Sequence, residues 1–255
     1  MNVLSINLKG GAAKTTNSSI VASYLPKCTL VEIDKINKSD EGIKSKDYKS
    51  IQLDFKNESD SNFIEFETML LDEDTKVIDV GAVKLETFHK AMVSANLYDT
   101  IDLFIIPAMD GKDDFEVAMT YLNTIKNDID TSKVIFAFNR FNNHEYSSPA
   151  EQFDTWFEKA EGIKKNLNID LKDEDNFYVI KDSRSVKHAR KTGVTLKSLI
   201  DEDIDELTKK QRACKDKAEK LKLTKHRSIV NNAQNLFNEY ISDMLAKIQK
   251  KLKQG

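Results

Sequence analysis

Residues 9–16 read KGGAAKTT and follow directly on the apolar run Val3, Leu4 and Ile6. A strand of aliphatic and β-branched residues, a glycine-rich turn, and Lys-Thr-Thr opening a helix (Asn17 to Tyr24) is the layout of a phosphate-binding loop. The glycines let backbone N–H groups converge on phosphate oxygens, Lys14 brings a charge to the β/γ-phosphates, and the Thr15 hydroxyl is placed to ligate Mg²⁺. An ordinary strand-to-helix turn would also use glycine for the bend and threonine for the cap, but it has no need of lysines at both ends. The stretch is expected to hold a nucleotide.

The general pattern G-x-x-x-x-G-K-[ST] is not met, because Leu8 and Ala13 occupy its two glycine positions. The stretch resembles instead the deviant form K-G-G-x-x-K-[ST] of the ParA/MinD family of ATPases, matched by Lys9, Gly10, Gly11, Lys14 and Thr15. The resemblance implies bound ATP and Mg²⁺, with residues Lys9, Gly10, Gly11, Ala12, Ala13, Lys14, Thr15 and Thr16 around the phosphates. It also implies a homodimer closed on ATP, in which Lys9 reaches the nucleotide of the other subunit. Ala13 stands where the family has glycine, and its Cβ is expected to crowd the phosphates or strain the turn. Nucleotide binding is therefore a firmer expectation than fast hydrolysis.

At 255 residues, with 40% hydrophobic and 32% charged residues, the chain is expected to form one large α/β domain with a substantial core. No run approaches the length of a membrane span and the N-terminus reads as a strand, so a cytoplasmic protein is expected. Only Cys28 and Cys214 are present, far apart. That pair indicates neither a disulfide framework nor a zinc site.

Strand-length apolar runs alternate with helical stretches, which argues for a mostly parallel twisted sheet covered by helices on both faces. Expected strands are Val3 to Asn7, Cys28 to Ile33, Ile51 to Phe55 near an edge, Val77 to Val80, Ile101 to Pro107, Lys133 to Asn139 and Phe177 to Ile180. Helices are expected over Phe63 to Leu71, Lys84 to Tyr98, Lys112 to Lys126, Pro149 to Lys165 and Arg184 to Lys191. The Pro149 helix carries Phe153, Trp156 and Phe157 as a core face. Residues 35 to 48 read as a mobile loop with switch character.

Acidic residues close two of these strands. Asp34 ends the second, after Glu32, where ligands bind in open α/β sheets. By the resemblance Asp34 orients the attacking water, while Glu32 replaces the family's first aspartate. Asp79, followed by Val80 and Gly81, looks like a Walker B carboxylate holding Mg²⁺ beside a flexible turn that senses the γ-phosphate; the family's D-x-P-P is absent. Asn139 resembles the family's base-reading asparagine, able to donate to and accept from adenine, and could equally be a turn residue. Asp182 falls in the adenine-contacting loop.

From Asp203 the chain reads as helical to the end, with a break near Thr224 to Ser228. Residues 206 to 255 carry 13 Lys/Arg against 5 Asp/Glu, a net +8, which leaves −11 on residues 1 to 205. Lys209, Lys210, Arg212, Lys215, Lys217, Lys220, Lys222, Lys225 and Arg227 are denser than a solvated face needs, and they suit duplex DNA bound without sequence preference. The last helix places Leu236, Tyr240, Met244, Ile248 and Leu252 in a narrow stripe. It is expected to pack on the domain rather than on a membrane.

The expected whole is a P-loop ATPase domain over residues 1–202, with basic C-terminal helices over residues 203–255 on the same domain. By the resemblance it is a ParA-like ATPase that segregates or stabilises plasmid or other mobile DNA, slow unless a partner protein stimulates it, and nucleoid-associated when ATP-bound. The alternatives are a MinD-like membrane-cycling positioning ATPase, or a slowly hydrolysing nucleotide-binding scaffold accessory to conjugation.

Overall fold

The computed structural model describes residues 1–34 and 45–254. Most of the segment read as a switch loop, residues 35–44, lies outside them. Seven parallel strands form one sheet in the order β3-β2-β4-β1-β5-β6-β7. They are β1 (Asn2–Ser5), β2 (Cys28–Ile33), β3 (Lys49–Leu53), β4 (Thr75–Val80), β5 (Leu103–Ala108), β6 (Val134–Phe141) and β7 (Phe177–Lys181). The apolar runs alternate side chains between two cores, as a strand period of two requires. Leu4, Ile6, Ile78, Phe104 and Phe136 enter one core, and Val3, Val77, Leu103 and Ile135 enter the other.

The first core is roofed by α2 (Ser61–Leu71), α3 (Leu85–Ser94), α4 (Lys112–Ile125) and three short helices, α5 (Pro149–Gln152), α6 (Asp154–Glu158) and α7 (Ala160–Leu167). The sequence reads these last three as one helix. Phe153 (φ −98°, ψ 40°) and Lys159 (φ −91°, ψ 5°) leave helical geometry between them. The breaks let Phe153 and Trp156 both point inward, fully buried. The Trp156 ring packs edge-on against Phe115, Phe136 and Phe138, and its Nε1 donates to the Met109 carbonyl at 3.0 Å.

The second core is covered by α1 (Lys14–Tyr24), which leads out of the glycine-rich loop, and by the C-terminal helices. These are α8 (Arg184–Thr192), α9 (Leu196–Ile200), α10 (Ile204–Ala213), α11 (Lys217–Leu236) and α12 (Ser242–Gln254). The break falls at Cys214–Asp216 and not at 224–228. Asp216 caps α11 by accepting from the Glu219 N–H at 2.7 Å, whereas residues 224–228 contain no helix breaker. A π-turn at Phe237–Ile241 inserts one extra residue before α12. The buried stripe therefore runs Leu236, Ile241, Met244, Ile248, with Tyr240 and Leu252 half-buried at its sides.

The lysines of α12 are tied to the body as well. Lys250 pairs with Asp175, Lys251 donates to the Ser132 carbonyl at 3.1 Å and to Asn176 Oδ1 at 2.7 Å, and the Lys247 ammonium stands 5.3 Å from the Phe177 ring centre. No helix among the described residues is long and apolar enough to cross a membrane.

Candidate functional site

Strand order brings the acidic and basic candidates together. β1 lies between β4 and β5, and β4 lies between β1 and β2, with Ser5 opposite Asp79 and Asp79 opposite Glu32. The loop after β1, Asp79 on β4 and Asp34 just beyond β2 thus share the carboxyl edge of the sheet, where open α/β folds bind ligands. A cleft of about 1,120 Å³ runs along this edge, its walls including Gly10, Gly11, Lys14, Thr15, Asp34 and Asp79.

The loop is held open from within. The Lys14 ammonium bends back across it and donates to the carbonyls of Asn7 (2.8 Å) and Lys9 (2.9 Å), while Asn7 Oδ1 accepts from the Lys9 N–H at 2.8 Å. Burial holds the Lys14 ammonium below its ordinary pKa, opposed by the charges of Asp79 and Asp34. Gly11 has φ +81°, a conformation that suits glycine. Ala13 has φ +66° and ψ 23°, left-handed geometry at the N-cap of α1. The departure from the family's glycine is therefore a source of backbone strain.

Beneath the loop lies a polar network that the sequence reading misses. Asn17 Nδ2 donates to the Ala13 carbonyl (2.9 Å) and to Asn139 Oδ1 (3.0 Å), and Asn17 Oδ1 accepts from the Tyr178 hydroxyl at 2.8 Å. Asn139 Nδ2 donates to the Ala137 carbonyl at 2.8 Å and, at 3.4 Å, to that of Ala12. All three side chains are buried. The one available signal was Asn17 itself, an amide in the first turn of an otherwise apolar helix face. Asn139 also lines a second recess with Ala13, Thr16 and Asp182, and the Asp182 carboxylate accepts from Lys187 at 2.7 Å.

Asp79 is the centre of the cleft's electrostatics. Burial pushes its pKa up to about 6, against the pull of a hydrogen bond from Thr15 and the charge of Lys14. Its Oδ1 is buried without a hydrogen-bond partner. An orphan carboxylate oxygen beside a threonine hydroxyl is a fitting pair of oxygen donors for a hard divalent cation. A Cβ at Gly81 would stand 2.5–2.7 Å from the Asp34 carboxylate, so a side chain there would displace that exposed carboxylate from its present position.

Lys9 does not reach into its own cleft. It forms an ion pair with Asp114 in the first turn of α4, with Lys9 40% and Asp114 14% exposed. The nine basic residues from Lys209 to Arg227 gather on the hairpin of α10 and α11, remote from the loop in sequence. All but Arg227 are exposed. Arg227 Nη1 donates to Thr208 Oγ1 and Gln211 Nε2 to Thr224 Oγ1, tying the two helices together.

These features define a P-loop nucleotide-binding fold. Among solved structures, the chain is similar to a plasmid partition protein of Borrelia burgdorferi B31 bound to AMPPNP, with 14% identity, coverage of 93% of this chain and 98% of that one, and a TM-score of 0.50. It also aligns with the MinD cell division protein of Aquifex aeolicus, with 14% identity over 93% and 97% of the two chains and a TM-score of 0.49. No protein-family model and no curated protein matches the sequence. The chain shares the fold of the Borrelia partition protein, a P-loop fold with, here, a seven-stranded parallel sheet, helices on both sides and a long C-terminal helical region.

Two substitutions test the strained and buried groups. Ala13→Gly is expected to raise stability by about 1 kcal/mol, read from urea unfolding, because glycine adopts positive φ without a Cβ penalty. The Asp79 carboxyl titrates near 6 in the folded chain against an ordinary 3.8, so stability falls as pH rises from about 4 to 6 and the loss is complete above 6. Asp79→Asn is therefore expected to stabilise the protein by about 1–3 kcal/mol at pH 8 and by much less at pH 4, as pH-resolved thermal melts would register.

Proposed function

We propose that the chain is a ParA-like, nucleotide-switched ATPase that binds duplex DNA without sequence preference and serves the segregation or stable inheritance of plasmid or other mobile DNA. The observation that carries this reading is the convergence of Lys14, Thr15 and Asp79, with its orphan Oδ1, on one cleft behind a glycine-rich loop. The loop's backbone N–H groups and Lys14 bind the phosphates, and Lys14 leaves the carbonyls of Asn7 and Lys9 as it does so. Thr15 and Asp79 would hold Mg²⁺, which when bound supplies charge neutralisation at the β- and γ-phosphate oxygens. Asp34 positions the attacking water beside Gly81. Asn139 and Asp182, which line the second recess, would take the base, an adenine contact from Asn139 replacing one of its present hydrogen bonds.

In this reading ATP closes a homodimer, Lys9 acts across the interface, and a partner protein stimulates a slow ATPase. The α10–α11 hairpin contacts DNA phosphates with its exposed lysines and arginines, a sequence-independent and salt-sensitive attraction. The membrane-cycling alternative is disfavoured by α12. Its apolar stripe is buried in the second core, and Lys250 and Lys251 are held by partners on the body.

The deciding experiment is binding of a labelled, arbitrary duplex DNA with ADP or with ATP and Mg²⁺ over a series of salt concentrations. Tight binding only with ATP is expected, weakened by salt, abolished by Lys14→Ala, and reduced at least tenfold by changing Lys215, Lys217, Lys220 and Lys222 together to alanine. DNA binding that ignores nucleotide, or none in any state, would refute the switch.

The ion pair between Lys9 and Asp114 opposes the crossing of Lys9 to another subunit. Partly exposed pairs contribute up to about 1 kcal/mol. Asp114→Asn is thus expected to lower the ATP concentration for half-maximal dimerisation by up to about fivefold in light scattering. An unchanged or raised midpoint would show that Lys9 is not restrained in this way.

A further inference from the structure

Three recesses open around the first turn of α1, and Arg190 of α8 lines every one of them. It shares the large cleft with Lys14, Thr15 and Asp79, the second recess with Ala13, Thr16 and Asn139, and a small apolar cavity of about 120 Å³ with Thr15, Thr16 and Ile20. Its neighbour Lys187, one turn earlier on the same helix, is neutralised by Asp182. Arg190 forms no ion pair with any described residue. The first turn of α1 contains no acidic residue, so its N–H groups and Arg190 bring positive potential to the Thr16 end of the cleft, while Asp34 and Asp79 on the same cleft oppose the charge of Lys14; that end suits an anion.

We propose that Arg190 binds the α-phosphate of the nucleotide, closing on it from α8 while the N-terminus of α1 holds it from the opposite side. The assignment rests on the nucleotide-binding reading above and adds a residue to it. Lys14, Thr15 and Asp79 define the end of the cleft that takes the β- and γ-phosphates. In the same reading Asn139 and Asp182, in the second recess, take the base. Arg190 is the cation that borders both, at Thr16, where the α-phosphate must lie between them. A planar guanidinium offers two parallel N–H donors to a pair of phosphate oxygens, which a lysine cannot reproduce. The α-phosphate is common to ATP and ADP, so Arg190 strengthens both complexes equally and plays no part in telling one from the other.

The test is the affinity of fluorescently labelled ADP and ATP, each with Mg²⁺, for the full chain and its variants. Arg190→Ala is expected to weaken both by a similar factor of about ten, the effect of losing a charge-assisted hydrogen bond, and Arg190→Lys to recover part of the loss. The melting temperature without nucleotide is expected to stay unchanged, since Arg190 has no ion-pair partner among the described residues. Unchanged affinity for both nucleotides would overturn the proposal, and so would a loss confined to ATP, which belongs to a γ-phosphate ligand. Failure of the unaltered chain to bind either nucleotide would instead refute the nucleotide reading itself, and the role of Arg190 with it.

Discussion

The arrangement of this molecule turns on one buried ammonium. Lys14 sits 8% exposed at the carboxyl edge of the sheet, and an ion removed from water must be compensated on every side. Two backbone carbonyls of its own loop accept from it, and the carboxylates of Asp79 and Asp34 supply the opposing charge. That requirement fixes more than a side chain. The loop must curl so that the carbonyls of Asn7 and Lys9 face the ammonium. The strands bearing Asp79 and Asp34 must also lie on the same side of β1, which the order β2-β4-β1 achieves.

The same constraint accounts for features that look accidental in isolation. Asn17, Asn139 and Tyr178 tie the underside of the loop to β6 and β7 through buried hydrogen bonds. A buried polar network of this kind must be satisfied throughout or it destabilises the fold. A side chain at Gly81 would push aside the Asp34 carboxylate that faces the cleft. Ala13 works in the opposite sense, holding a left-handed conformation at a cost that glycine would avoid. The loop thus retains its shape through the contacts beneath it and despite its own local preference.

The layered fold was readable because apolar runs of strand length are nearly continuous in a sheet buried on both faces. Cys28 to Ile33 carries its bounds in its composition. The single helix expected over Pro149 to Lys165 fails because three aromatic side chains had to be oriented individually, a demand of the core that helical periodicity does not encode. The π-turn at Phe237–Ile241 is equally invisible, since it exchanges Tyr240 for Ile241 on the buried stripe without any breaker residue. The meeting of Lys14, Thr15, Asp34 and Asp79 on one cleft was legible because each lies at or just after the carboxyl end of a strand. The hydrogen bonds of Asn17 and Tyr178 were not, because each joins residues more than 100 positions apart, and one sequence contains no record of that distance.

Charge makes a similar point about scale. The excess of lysine and arginine after residue 205 looks uniform in the sequence, yet it divides into two physically different populations. On α12, Lys250 and Lys251 are held against carboxylates and carbonyls of the body, so their charge is spent locally. On the α10–α11 hairpin all the basic side chains but Arg227 stand in solvent, and among the described residues only Lys210 and Lys222 have an acidic neighbour, in each case on their own helix and 3.6–4.0 Å away. Charges that are mutually repelled and weakly neutralised raise the potential of the whole hairpin. The remainder of the chain has the opposite sign, −11 over residues 1–205, so the hairpin is the basic pole of a chain whose charge is unevenly divided.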